Sequence, residues 1–226
     1  MKKSSRIFLP ALMAAVFISI PYAWSEKPAT GAPAQQSFPM QGKWEFTFKP
    51  ETTFISYFLK GNVHDTLGYV KKMQGKASAT ITPDGRLTAA AVQFTFAADT
   101  MDSNDKARDD RMKKKFMDIS IYPDITYRSA SAGAGLENAA PVAKATKEHP
   151  LAFDLEGVLT IHGTTRAITI PVTVYPDNKL LITEGTTILQ LKDFNIKNPS
   201  FLIFRTEDYV KINFHIELQP VNSITP

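Results

Sequence analysis

Few residues in this sequence could carry chemistry, and their spacing matches none of the common catalytic or metal-binding motifs. The sequence has no G-x-S-x-G, P-loop or H-E-x-x-H motif, and its histidines are not paired at metal-ligand spacing. It also has no cysteine, which excludes a thiolate nucleophile, a disulfide and a Cys-based metal site. The sequence therefore predicts no catalytic residue, no cofactor and no metal, apart from a site assembled from distant strands. The histidines are His64, His149, His162 and His215.

An acidic segment at residues 99–105 invites comparison with a calcium-binding loop. An EF-hand loop needs oxygen ligands at positions 1, 3 and 5 and a glutamate at position 12. Counted from Asp102, positions 5 and 12 are Lys106 and Lys113, so the match fails. We expect these residues to precede a helix instead, with Asp102 or Asn104 as its N-cap.

The sequence Arg-Asp-Asp-Arg at residues 108–111 has two interpretations. It is either a solvent-exposed ion-pair cluster, which contributes little energy, or a group that orients a polar ligand. For the second case, Arg108 and the nearby Lys113 are the candidates for holding a phosphate or carboxylate, because guanidinium groups suit such oxyanions. An enzyme would instead use Asp109 or His162 as a general base.

The first 25 residues have the composition of a secretory signal peptide. Lys2, Lys3 and Arg6 precede an apolar stretch that is shorter than the roughly 20 residues needed to span a bilayer. Cleavage is expected after Ser25, with Ala23 as the alternative site. These features predict export, most simply to a bacterial periplasm.

The remaining chain divides into a flexible leader and one folded domain. Residues 26–41 are rich in Pro, Ala and Gln without hydrophobic periodicity, and the domain is expected over residues 42–220. Residues 26–226 contain 23 basic and 22 acidic residues, so the exported protein is almost neutral. Nucleic acid is therefore an unfavourable partner, since phosphate binding needs clustered positive charge.

Apolar and polar residues alternate with period 2 along the domain, which is typical of half-buried strands. The clearest strands are at 44–48, 92–96, 168–174 and 212–218, and less regular ones at 53–60, 75–82, 124–130, 152–162 and 179–191. One amphipathic helix is expected over 104–118, where Met112, Phe116 and Ile119 share a face. The pattern predicts an all-β domain, a sandwich or barrel of antiparallel strands.

Three segments, in order, resemble a known family, the YceI-like polyisoprenoid-binding proteins of bacterial periplasms. Residues 107–129 are similar to its Arg-Asp, short-helix and Tyr-Pro-x-Ile stretch, and residues 157–174 to its Gly-x-Leu-Thr-Ile-x-Gly hairpin. Residues 188–196 are a weaker match, with Asn195 where the family has glycine. Asparagine accepts the left-handed backbone better than most residues, so the turn is expected to form.

The resemblance implies a lipocalin-like, extended eight-stranded antiparallel β-barrel that holds an isoprenoid, a quinone precursor or a fatty acyl compound. A chain of some fifteen carbons would gain on the order of 12 kcal/mol on burial, before the costs of association are subtracted. Its head would meet Arg108 and Lys113. The expected lining residues are Phe46, Phe94, Phe96, Leu159, Ile161, Ile170, Val172, Phe214 and Ile216.

Two alternatives to a lipid carrier stay open from the sequence. One is an enzyme acting on a bound lipid or quinone precursor, and the other is a structural or interaction module whose barrel is filled by side chains. An interior void of several hundred cubic ångströms would distinguish a carrier from a filled module. Transient membrane contact, for instance through Lys113–Lys115, and a homodimer are both compatible with the sequence.

Overall fold

A computed structural model describes residues 41–132, 136 and 140–224, so the predicted signal peptide and almost all of the leader lie outside the described residues. The described part contains ten strands and one α-helix, α1 (Lys106–Lys115). The strands are β1 (Gly42–Phe48), β2 (Phe54–Leu59), β3 (Thr66–Val70), β4 (Gln74–Ile81), β5 (Leu87–Ala97), β6 (Asp124–Ala132), β7 (Leu151–Ile161), β8 (Thr164–Asp177), β9 (Leu180–Gln190) and β10 (Tyr209–Ile224).

Eight of these strands form a closed antiparallel barrel, which confirms the predicted fold. The order is β1-β4-β5-β6-β7-β8-β9-β10, and pairing of β1 with the last part of β10 closes the wall. Closure leaves none of these eight strands as an unpaired edge. The hairpin of β2 and β3 extends the wall, because β2 pairs with Lys211–His215 in the first half of β10.

The helix lies at one end of the barrel, which we call the helix end. The same end carries the turn at residues 60–65, the tight turn at His162 and Gly163, and the long connection at residues 191–208. His162 and Gly163 both have positive φ angles, as expected for a two-residue hairpin turn. At the opposite end, Leu136, Val142 and Ala145 are buried, and the Val142 N–H donates to the Gly85 carbonyl at 2.8 Å. Leu136 and residues 140–149 therefore contribute apolar packing at the end away from α1.

The helix is shorter than predicted and starts at a different cap. Asp105, not Asp102 or Asn104, is the N-cap, and its carboxylate accepts a hydrogen bond from the Arg108 N–H at 3.0 Å. Asn104 has a left-handed backbone (φ 61°), and its N–H donates to the Asp102 side chain. Both predicted cap residues therefore belong to the turn that precedes the helix. Three lysines in the last turn complement the helix dipole.

Within the described ranges, no helical segment combines the length and apolar character required to cross a membrane.

Candidate functional site

The barrel encloses a cavity of about 670 Å³ with a mostly apolar wall. On β9 the lining positions run from Leu181 to Gln190, which spans about 30 Å of strand and roughly 23 Å along the axis of a barrel with tilted strands. The structure does not show the filled interior that a purely structural module requires. All nine apolar residues that the sequence analysis assigned to the lining border this cavity: Phe46, Phe94, Phe96, Leu159, Ile161, Ile170, Val172, Phe214 and Ile216.

Small residues in the wall leave space for the cavity. Ala77, Ala79 and Ala90 line the wall formed by β4 and β5, where larger side chains would project into the interior. Phe214 lies across Gly185 on the neighbouring strand, and a Cβ atom at residue 185 would be 2.3 Å from the Phe214 ring. Without a side chain, Gly185 allows this ring to occupy space beside the wall.

Positive charge collects around the cavity at the helix end. Arg108 and Arg111 on α1 and Lys197 on the connection between β9 and β10 border it, together with His64 and Asp105. Arg108 is half-buried and held in place by Ser103: its Nε donates to the Ser103 hydroxyl at 2.8 Å, and its Nη2 donates to the Ser103 carbonyl at 2.8 Å. These bonds use two of the five guanidinium N–H groups.

Asp109 holds the loop that supports Arg108. It is 7% exposed and accepts hydrogen bonds from the Ser103 N–H and the Ser103 hydroxyl. Asp110 pairs instead with Lys106 at 2.7 Å. The Arg-Asp-Asp-Arg segment is therefore not one exposed ion-pair cluster, because its members face different partners and two of them border the cavity.

Tyr57 supplies a polar group inside the apolar wall. Its hydroxyl is buried and has no hydrogen-bond partner within the described part of the chain. Burial and the nearby Asp109 carboxylate raise the pKa of the Tyr57 phenol, an effect that Arg108 opposes in part. The phenol therefore stays protonated at neutral pH and can donate a hydrogen bond. Buried polar groups are normally paired, so this hydroxyl indicates a place for a polar atom of a ligand.

A second hydroxyl without a partner in the described residues lies deeper in the cavity. Thr183 on β9 borders the cavity, is buried, and its Oγ1 has no such partner. It pairs in register with Ile216, while Tyr57 lies two strands away opposite Ile212. The wall is therefore apolar between two separate polar positions.

Lys113 does not border the cavity, although the sequence analysis placed it beside Arg108. Successive residues of a helix are turned by about 100°. Lys113 follows Arg108 by five residues and points about 140° away from it, whereas Arg111 is turned by only about 60°. Arg111 borders the cavity and Lys113 does not. A role of Lys113 in head-group binding stays a prediction that no cavity contact supports.

The two residues considered as a catalytic base also lie outside the cavity lining. Asp109 is engaged by Ser103, as described above. His162 packs edge-on against Tyr122, and its ring nitrogens contact the Asp118 carboxylate at 3.2 Å and the Phe194 carbonyl at 3.3 Å. Both side chains therefore hold the connections at the helix end together. Within the described residues, no cluster of three or more His, Asp or Glu side chains is arranged to hold a metal ion.

Sequence reasoning missed Tyr57, Arg111, Lys197 and Thr183. Residues 53–60 are apolar on both faces, so the period that reveals lumen-facing positions elsewhere is lost around Tyr57. Arg111 could have been found, since it is three residues from Arg108 and shares its helix face. Lys197 and Thr183 depend on long-range packing and carry no local signal.

Comparison with known proteins agrees with this architecture. A family model described as the YceI-like domain matches residues 46–218. The crystal structure of BcnA from Burkholderia cenocepacia is similar, with a TM-score of 0.59 and 23% identity over 75% of this chain and 98% of that one. So is a polyisoprenoid-binding domain from Saccharophagus degradans, with a TM-score of 0.59 and 13% identity over 78% of this chain and 98% of that one. No curated protein matches the chain. Because the family model covers most of its length, the chain belongs to the YceI-like domain family.

Proposed function

We propose that this protein binds a long-chain amphiphile, such as an isoprenoid, a quinone precursor or a fatty acyl compound, and carries or sequesters it inside the barrel. The observation that carries the proposal is the elongated apolar cavity of about 670 Å³. Its volume lies within the range of small-molecule sites, and its length suits an extended chain. Burial of methylene groups provides the affinity, at about 0.8 kcal/mol for each group.

The head group binds at the helix end, where the polar side chains converge. Arg108 is fixed by Ser103 at the cavity wall. Tyr57 offers a protonated hydroxyl that has no hydrogen-bond acceptor among the described residues. Arg111 and Lys197 add positive charge at the same end. This set favours a head group with an oxyanion or a carbonyl oxygen, such as a carboxylate, a phosphate or a quinone. In this orientation, the tail points toward Thr183.

The proposal includes a periplasmic location and contact with lipid. The location is supported by the basic and apolar pattern of residues 1–25, which is typical of a cleaved signal peptide. A ligand of this class partitions into bilayers, so the protein must meet a membrane transiently to acquire or release it. The proposal is compatible with a monomer or a homodimer, because the cavity is complete within one chain.

The first experiment is to identify what the protein carries. Protein produced from the full-length sequence in a bacterial host is purified from the periplasm, and bound compounds are extracted for mass spectrometry. The delipidated protein is then titrated with a fluorescent fatty acyl probe and an isoprenoid probe. We expect an extracted amphiphile and saturable binding of at least one probe. A protein that yields no amphiphile and takes up neither probe would contradict the proposal.

A matched pair of substitutions tests whether the binding occurs inside the barrel. Ala90 on β5 borders the cavity, while its neighbour Ala89 is exposed on the outer face. We expect Ala90→Trp to fill part of the cavity and reduce probe binding at least tenfold, and Ala89→Trp to bind like the wild type. Equal binding by both variants would place the probe outside the barrel.

A further inference from the structure

Four consecutive apolar residues are exposed on the connection between β9 and β10, at the helix end of the barrel. Apolar side chains that are exposed singly need no explanation, but a contiguous exposed group usually marks a binding surface. We call residues 201–204 the apolar tip. The exposed fractions are 55% for Phe201, 72% for Leu202, 74% for Ile203 and 48% for Phe204.

The apolar tip is held in a defined conformation. Phe201 and Phe204 exchange two backbone hydrogen bonds, at 2.8 and 3.0 Å, and Leu202 between them has a left-handed backbone. The side chain of Asn62, on the turn after β2, donates to the Ile203 carbonyl at 3.0 Å and accepts from the Arg205 N–H at 2.8 Å. The fold therefore supports the tip from a second connection, and exposure of its side chains is a fixed feature of the structure.

Positive charge is concentrated beside the tip. The guanidinium group of Arg111 on α1 lies 5.4 Å from the centre of the Phe201 ring. Helix α1 contains six basic and two acidic residues, although residues 26–226 as a whole are almost neutral. The helix that reaches the tip through Arg111 thus carries more positive charge than the domain as a whole. Apolar side chains flanked by cations fit the boundary between head groups and acyl chains of an anionic bilayer.

The tip is continuous with the cavity. Nearly all exposed residues that border the cavity lie at the helix end, so the cavity entrance is at this end. Phe204 is half exposed and also borders the cavity, as do Arg111 and Lys197. From these contacts we infer that the helix end docks on an anionic lipid bilayer, with the apolar tip inserted among the lipids. Docking in this orientation puts the cavity entrance at the membrane surface, so that an amphiphile can pass between bilayer and barrel. The transfer of an amphiphile between bilayer and barrel rests on the proposed function, whereas the docking itself does not require a bound ligand.

Vesicle flotation tests the docking directly. Protein produced from the full-length sequence is mixed with vesicles of pure phosphatidylcholine, or of equal parts phosphatidylcholine and phosphatidylglycerol. We expect flotation with the anionic vesicles, and a loss of at least about tenfold in partitioning for Leu202→Ser/Ile203→Ser, because two aliphatic side chains no longer insert. The control, Val158→Ser/Val221→Ser, removes two other exposed aliphatic side chains and should float like the wild type.

The contribution of charge is tested on the last turn of α1. Lys114→Gln/Lys115→Gln should reduce flotation with anionic vesicles, and added salt should reduce flotation of the wild type. Equal flotation of the tip variant and the wild type, or no flotation of the wild type on either kind of vesicle, would overturn the inference. The second result would favour a protein partner for the tip.

The docking and the ligand binding can fail separately. If both hold, Ala90→Trp keeps vesicle flotation and loses probe binding, while Leu202→Ser/Ile203→Ser loses flotation and still binds a probe supplied in solution. A wild type that floats but binds no probe would contradict the proposed function and leave the docking intact. A wild type that binds the probe but does not float would contradict the docking and leave the proposed function intact.

Discussion

The aromatic ring of Phe214 on β10 lies against Gly185 on β9, and the two residues are register partners across the barrel wall. A Cβ atom on residue 185 would be 2.3 Å from the ring and 2.5 Å from the Pro171 carbonyl oxygen of β8. Both distances are well below van der Waals contact. The glycine therefore sets the position of an aromatic side chain that borders the cavity.

Gly185→Ala should displace the Phe214 ring and strain the wall. We expect a loss of about 1–3 kcal/mol in the free energy of unfolding, which is typical of overpacking in a well-packed region, and weaker binding of a long-chain probe. Urea denaturation and probe titration measure the two effects. Phe214→Leu should relieve part of the strain, so the double variant should lose less stability than the sum of the single variants. Strict additivity would show that the ring and the glycine do not interact.

Arg108→Gln should weaken the binding of anionic amphiphiles selectively. Hydrogen bonds to charged groups contribute about 1.5–3 kcal/mol, so we expect about a tenfold or larger loss of affinity for a long-chain fatty acid. Binding of the corresponding methyl ester should change little, because its head group carries no charge. Arg128→Gln, which removes an exposed arginine from β6, is the control for net charge. An equal loss for acid and ester would assign Arg108 to the structure of the helix end.

Tyr57→Phe removes only the hydroxyl oxygen and should change ligand affinity without lowering the stability of the folded protein. Because the Tyr57 hydroxyl donates to no described protein group, its removal should leave the free energy of unfolding of the delipidated protein at least as high as that of the wild type. Affinity for an amphiphile with a carboxylate or quinone head should fall several-fold, while affinity for a plain hydrocarbon probe should not. A variant that is less stable without ligand would show that the hydroxyl has a structural role.

Most of the barrel could be predicted from the sequence because its wall separates an apolar lumen from solvent. In β1, Phe46 and Phe48 are buried and Glu45 is exposed, which is the period-2 pattern that sequence reasoning detects. Strand β3 was missed because its signal is reversed. Leu67 and Tyr69 face outward and are exposed, while the inward positions are Thr66, Gly68 and Val70, of which only Val70 is a large apolar residue.

The site could be predicted only where it follows strand periodicity or helix spacing. The nine apolar lining residues follow periodicity, and Arg108 follows from its motif and its place on α1. Residues that reach the cavity from irregular connections, such as Lys197 and Phe204, depend on how the chain between β9 and β10 folds back. The turn at Asn195 was anticipated, because asparagine accepts the left-handed backbone that it adopts there (φ 55°).

Glu217 on the outer face of β10 links stability to pH. Partial burial would raise the pKa of its carboxyl, but hydrogen bonds from Thr52, Lys49 and His215 outweigh this effect, so the pKa lies below its ordinary value. The Lys49 ammonium is 3.3 Å from the carboxylate. A carboxyl with a lowered pKa in the folded state stabilises the protein above its usual pKa of about 4.3, and this contribution is lost as the pH falls through the folded-state value.

Glu217→Gln should therefore be less stable than the wild type at pH 7, by no more than about 1 kcal/mol because the ion pair lies near the surface. The difference should shrink toward zero as the pH falls below about 4, where the wild-type carboxyl is also neutral. Urea denaturation at a series of pH values measures both. Glu156→Gln, at an exposed position on β7, is the control for the loss of one negative charge. A difference that stays constant from pH 7 to acid would show that Glu217 acts through packing and not through its charge.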